Sequence, residues 1–147
     1  MTRQEVLDRL KSVHDPEIPD LSIVDMGVVL DVLVSDDTVQ VTLRPTYIAC
    51  PALDWIRSAV EMALAPSRAV VQYHMTASWS TADMSSEGRA QLKAFGIAPP
   101  QRAGEPVACP QCGSNDTEMT SAFGSTLCRA IYYCQRCQGP FEAWKTR

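Results

Sequence analysis

Six cysteines are spread unevenly over 147 residues. Four of them form two C-x-x-C pairs, Cys109-Pro-Gln-Cys112 and Cys134-Gln-Arg-Cys137, about twenty residues apart. This spacing suits a four-thiolate metal site, in which each pair wraps one edge of a tetrahedral ion. The chain between the pairs can then be a β-hairpin. Gly113 follows the first pair, where the turn beneath often needs a positive φ. Zinc is the first choice for a closed site of thiolates; iron takes the same geometry, and the spacing does not separate them. Docking or electron transfer is the functional reading. A structural staple is the other, and the shortness of the segment favours it.

Cys50 stands apart, in PTYIACPALDW, and is the one cysteine among the first hundred residues. Proline favours the first position of a helix, so Pro51 places Cys50 at or near an N-cap. Unpaired N–H groups and the positive end of the helix dipole would then favour thiolate over thiol. A thiolate can act as a nucleophile or as a soft-metal ligand. Buried packing is the plainer reading of a cysteine. Cys128, in FGSTLCRAIYY, is the leftover cysteine of the C-terminal segment, and a small buried hydrophobe is again the plain alternative. His14 and His74 read as surface residues.

The elements that must position these thiols follow from periodicity. Thr2 and Glu5 make a capping box, and Val6, Leu7, Leu10 and Val13 form one helical stripe. HDPEIPD breaks that helix. From Ile23 to Ser35 the period is two: Met26, Val28, Leu30, Val32 and Val34 share a face, with Asp25 and Asp31 opposite. Asp36-Asp37 is a turn, and Val39, Val41 and Leu43 alternate in the returning strand. A hairpin centred there sets Asp25 opposite the Cys50 end of the sheet, where HDPEIPD also enters. Asp15, Glu17, Asp25, Thr46 and Cys50 are therefore expected to converge, as a labile metal-ligand patch rather than a hydrolase triad. Leu53, Ile56, Val60, Ala63 and Leu64 predict a second helix, ended by Pro66. Val71, Tyr73, Met75, Ala77 and Trp79 predict a third strand, and Ser85 to Gly96 a last helix with caps at both ends.

The expected fold is α+β: a small two-layer domain with a three-stranded mixed sheet and helices on one face, followed by a zinc-ribbon-like β minidomain. The boundaries expected are 1–98 and 107–147, with the Pro- and Gly-rich 99–106 as linker. The net charge of −4 and pI near 5.1 offer no basic field for a polyanion, which disfavours a nucleic-acid partner, although Arg129 and Arg136 keep a nucleic-acid-binding ribbon in view. No apolar run reaches spanning length, and MTRQEVLDRLKSV lacks the core of a signal peptide, so the expected location is the cytoplasm, with no membrane partner. Reduced thiols there suit metal binding better than disulfides. The chain has no E-x-x-H pattern for a di-iron site, no glycine-rich dinucleotide loop and no nucleophile–base set, so it does not read as an enzyme.

DPEIPDLSIVDMGVV followed by PTYIACPA resembles the SufT-like family of small iron–sulfur assembly proteins. Joined to SSEGRAQLKAFGIAPP, CPQCGS, FGSTLCRAIYYC and PFEAWK, the chain is similar over nearly its whole length to the PaaD branch. That branch accompanies a phenylacetyl-CoA epoxidase, a di-iron oxygenase paired with a flavin and iron–sulfur reductase. The resemblance implies an accessory factor for maturation or assembly of that complex in phenylacetate breakdown. It assigns cluster handling to Cys50, Asp25, Asp15 and Glu17, and gives weight to Cys128. It implies as partners the epoxidase subunits, the iron–sulfur reductase component first, and a transient iron–sulfur cluster. One thiol cannot hold a cluster securely, so two chains in a homodimer, or Cys50 with a client's cysteine, could share it. A non-catalytic docking module, with Cys50 structural, is the competing reading.

Overall fold

The computed structural model describes residues 1–16, 18–46, 52–76, 79–101, 104–126 and 128–145. Glu17 and Cys50, both expected at the site, lie outside the described residues.

The first helix, α1 (Arg3–Leu10), starts at the expected capping box: Thr2 Oγ1 accepts from the Glu5 N–H, and the Glu5 carboxylate accepts from the Thr2 N–H. Val6 and Leu10 on its inner face are fully buried. The next element departs from the expected strand. Ile23–Met26 is a single helical turn, α2, capped by Ser22 and closed by Gly27 at φ +83°. Its signals are those of a helix, with S-x-x-D at the start and glycine just past the end. A side chain at position 27 would also run into the backbone of Asp83.

The hairpin strands are β1 (Val29–Val34) and β2 (Thr38–Leu43). Val34 pairs with Val39 and Asp31 with Thr42, the register that a turn at Asp36-Asp37 requires. Val39, Val41 and Leu43 are buried, as the alternation predicts. On β1 the prediction holds for Val32, whereas Leu30 and Val34 are both 37% exposed. Two causes are visible. The register shifts between Val29 and Asp31, and β1 is an edge strand.

Helix α3 (Leu53–Leu64) buries Ile56, Val60 and Leu64 at the expected spacing. Its N-cap is Ala52, without a side-chain cap bond, and Pro51, expected to open the helix, lies outside the described residues. Strand β3 (Arg68–Tyr73) runs parallel to β2, giving a mixed sheet of order β1-β2-β3 with α1 and α3 packed on it. It ends at Tyr73, whose hydroxyl donates to the Leu53 carbonyl at 2.7 Å. Trp79, expected on that strand, instead lies beyond it and is buried, with its indole N–H donating to the Met26 carbonyl at 2.8 Å.

Helix α4 (Ser86–Ala94) has the expected Ser85 cap and is followed by Gly96 at φ +91°. Two residues beyond the helix cap, the short strand β4 (Ile97–Ala98) pairs in parallel with β7 (Gly139–Trp144) of a second sheet, which also contains β5 (Thr117–Ser121) and β6 (Arg129–Cys134) in the order β4-β7-β6-β5. Residues 97 and 98, placed at the end of the first unit by sequence, thus pair with the second sheet. Pro100, within the expected linker, is fully buried, and its carbonyl accepts from the Arg89 guanidinium.

Two residues of the second sheet reach into the core of the first. Ile97 and Trp144 join Leu43, Val60 and Leu92 in the main cluster. The Trp79 and Trp144 rings stand 6.3 Å apart. No helix among the described residues is long and apolar enough to cross a membrane.

Candidate functional site

Two knuckles of chain bring four sulfurs together. In the first, Gly113 at φ +75° lets its N–H reach the Cys109 carbonyl at 2.9 Å. In the second, Gln138 at φ +57° closes the turn after β6, and its N–H donates to the Cys134 carbonyl at 2.8 Å. There the Cys137 N–H points at the Cys134 sulfur, 3.3 Å away. Antiparallel pairing of β6 with β7 sets Cys134 opposite Gly139 at the mouth of this turn.

The Sγ atoms of Cys109, Cys112, Cys134 and Cys137 all lie within 4.8 Å of one another. Two of these contacts cross between the knuckles, Cys109 to Cys137 at 4.0 Å and Cys112 to Cys134 at 3.7 Å. A tetrahedral ion with metal–sulfur bonds of about 2.3 Å needs sulfurs about 3.8 Å apart, so the donor set fits one. Cys109 and Cys134 are buried, Cys112 is half-buried and Cys137 is exposed, so the centre sits at the surface with one edge open.

Four thiols this close cannot all ionise without a cation. The Ser114 backbone N–H, and then the neighbouring thiols, bring Cys112 down to about 7. Cys137 is pushed up to about 12, first by its hydrogen bond with Cys112 and then by desolvation among the other sulfurs. A metal would supply the positive charge that lets the remaining protons leave. The ribbon's own core is small: among the described residues its buried cluster is Ala98, Cys109, Cys134, Phe141 and Ala143.

In the first unit, Asp25 does not occupy the strand position predicted for it. It sits in α2 and is buried, with only 8% of its surface accessible. Oδ2 accepts from the Ser22 hydroxyl at 3.0 Å and Oδ1 from the Ser85 hydroxyl at 2.9 Å. The Asp25 carbonyl also accepts from the Ser85 N–H at 2.8 Å. A Cβ at Gly88 would come within 2.8 Å of that carbonyl oxygen, so glycine allows α4 to seat there. Asp25 therefore ties α2 to the start of α4, and both carboxylate oxygens are engaged.

Asp15 lies in the loop before α2, and Thr46 follows β2. An isolated bridge joins His14 to Ser22, the residue capping α2, and so folds the HDPEIPD loop against it. Asp15 Oδ1 accepts from the Ile18 N–H at 3.1 Å and shapes that loop. Thr46 is half-buried just past β2. Beside it Arg44 donates to the Gly27 carbonyl at 2.9 Å and meets Asp83 at 3.0 Å, which fixes this sheet end to α2. Cys128 lies outside the four-sulfur group. It is half-buried against the main core, with its sulfur 3.0 Å from Thr126 Oγ1.

Sequence reasoning misses the partners of these residues. Ser85 is recognisable as a cap, but nothing local shows that its hydroxyl reaches Asp25, sixty positions away. It also misses Arg129 as a buried residue, beside Glu142 at 3.5 Å. Burial opposes the charge on Glu142, but the Ser125 N–H and hydroxyl and the Arg129 guanidinium hold its carboxyl below the usual range.

Comparison with known proteins covers both parts of the chain. The family described as "Iron-sulfur cluster assembly protein" matches residues 3–72, and the "PaaD zinc beta ribbon domain" matches residues 98–145. A protein of Escherichia coli (strain K12), provisionally named as one of the subunits of a 1,2-phenylacetyl-CoA epoxidase, is 36% identical, covering 96% of this chain and 91% of its own. An Fe–S protein maturation auxiliary factor of Porphyromonas gingivalis (strain ATCC BAA-308 / W83) is 33% identical over 62% of this chain and 90% of its own. Among solved structures, a domain of unknown function (DUF59) from Bacillus anthracis superimposes with a TM-score of 0.57 at 28% identity, over 64% of this chain and 91% of its own. A conserved hypothetical protein from Thermotoga maritima gives a TM-score of 0.53 at 29% identity, over 66% and 96%.

Proposed function

The chain belongs to the PaaD family, and on that premise we propose that it is a cytoplasmic, non-catalytic accessory factor in the maturation of a phenylacetyl-CoA epoxidase complex. Its part is to assist insertion of an iron–sulfur cluster into a client, the iron–sulfur reductase component being the first candidate. The observation that carries this reading is the joining in one chain of a region matching iron–sulfur assembly proteins to a four-thiolate ribbon of the PaaD type.

The two thiol sets are given different work. Cys109, Cys112, Cys134 and Cys137 hold a resident metal, zinc before iron, and keep it, because four thiolates close the coordination shell. Cys50 takes the transferable cluster. A single thiol per chain holds a cluster only together with a second chain or a client, and such weak holding suits delivery. Asp25 contributes by positioning, since its oxygens are spent on Ser22 and Ser85. Asp15, Glu17, Thr46 and Cys128 remain candidates for the surroundings of the cargo.

Docking of the ribbon on the epoxidase is the second reading. Phe123 and Met119 favour it, being 73% and 54% exposed on the ribbon. Cells carrying Cys50→Ser as their sole copy separate the two. The assembly reading expects the protein to accumulate normally while epoxidase activity falls. Unchanged epoxidase activity would leave docking as the role.

A further inference from the structure

We infer that the metal at the four thiolates governs the seating of α4, and with it the Asp25 end of the first sheet, so that the ribbon acts as a clamp on the assembly domain rather than as a tethered module. This goes beyond the proposed function and does not depend on it.

One strand makes the first connection. Cys134 pairs with Gly139, where β7 begins, and β7 reaches Trp144 within six residues. Trp144 is 3% exposed and belongs to the core of the first unit, not to that of the ribbon. It packs on Trp79, whose indole N–H is bonded to the Met26 carbonyl, next to Asp25. A second connection runs beside it. Strand β4 pairs with β7, places Ile97 in the main core and Ala98 in the ribbon core, and follows α4 after two residues. The far end of α4 is thus held by the ribbon, and its near end by Ser85 on Asp25.

Coupling between distant sites needs an element with two states that both sites bias. Here that element is the ribbon. Of the five buried residues in its own cluster among the described residues, two are cysteines of the four-thiol group. A segment this small with so little core is folded by its metal and loosened without it. Loss of the metal therefore removes Trp144 and Ile97 from the first core and frees the end of α4.

Hydrogen exchange read by mass spectrometry on the full-length chain tests this. The chain is compared as isolated, after metal removal with EDTA, and after zinc is restored. The clamp predicts that amides of Ser86–Ala94 exchange at least about tenfold faster without metal and recover with zinc. Trp144→Ala, with its metal content measured as retained, should accelerate the same amides. Fast exchange confined to Thr117–Trp144 after metal removal, with α4 still protected, would overturn the inference. So would a metal-loaded Trp144→Ala protein whose α4 exchanges as slowly as the parent.

Discussion

At the scale of single residues, the two chemical sets differ in how far they can be read from sequence. The C-x-x-C pairs are legible because thiolate geometry leaves a fixed spacing in the chain. The role of Asp25 is not, because its partner Ser85 is remote in sequence and a hydroxyl cap looks the same whatever else it touches. The structure makes Asp25 a buried acceptor of two hydroxyl hydrogen bonds, so Asp25→Ala should cost about 3 kcal/mol of stability, seen as a lower urea midpoint. Asp25→Asn keeps one acceptor oxygen and should cost less. The thiols carry a pH prediction of definite sign. Metal binding must expel protons, Cys137 being held as a thiol up to about 12 in the metal-free cluster, whereas Cys112 ionises near 7. Acid therefore opposes binding. Metal retained on dialysis should fall as the buffer goes from about pH 8 to about pH 5, and retention independent of pH would contradict thiolate ligation.

At the scale of elements, periodicity locates α1, the hairpin, α3 and α4, and fails where two patterns overlap. Residues Ile23–Met26 fit an alternating strand as well as a helical turn, and Ser22 and Gly27 at the ends decide between them. The face of β1 departs from the alternation because a register shift is invisible to a strict period of two. Strand β4 leaves no sequence signal at all: two residues have no period, and their partner β7 is more than forty positions away. The pair Arg129–Glu142 joins β6 to β7, and the Glu142 carboxyl makes it sensitive to pH. The folded carboxyl of Glu142 lies below its ordinary value, so its contribution to stability is present above that value and is lost as pH falls through the lowered one. Urea midpoints of the parent and Glu142→Gln proteins should therefore differ at neutral pH and converge in acid. A difference that stays constant through acid would deny the pair that role.

At the scale of the whole molecule, composition indicates the class correctly but not the connection between the parts. Proline and glycine between residues 99 and 106 read as a free linker, yet Pro100 is buried and Trp144 reaches back into the first core. Nothing local in PFEAWK distinguishes a tryptophan of the ribbon from one that belongs to its neighbour. The molecule that results joins a four-thiol ribbon to the first sheet through Trp144 and Ile97. Its proposed working rests on a division of labour between a resident metal and a passing cluster. Iron, sulfide and zinc per chain, measured anaerobically after cluster reconstitution of the parent and of Cys50→Ser, test that division most directly. The expected result is about one resident metal in both proteins, held by the four thiolates, with cluster iron and sulfide in the parent alone. Zinc alone in both, with no sulfide in the parent, would contradict it and leave position 50 as a packing cysteine.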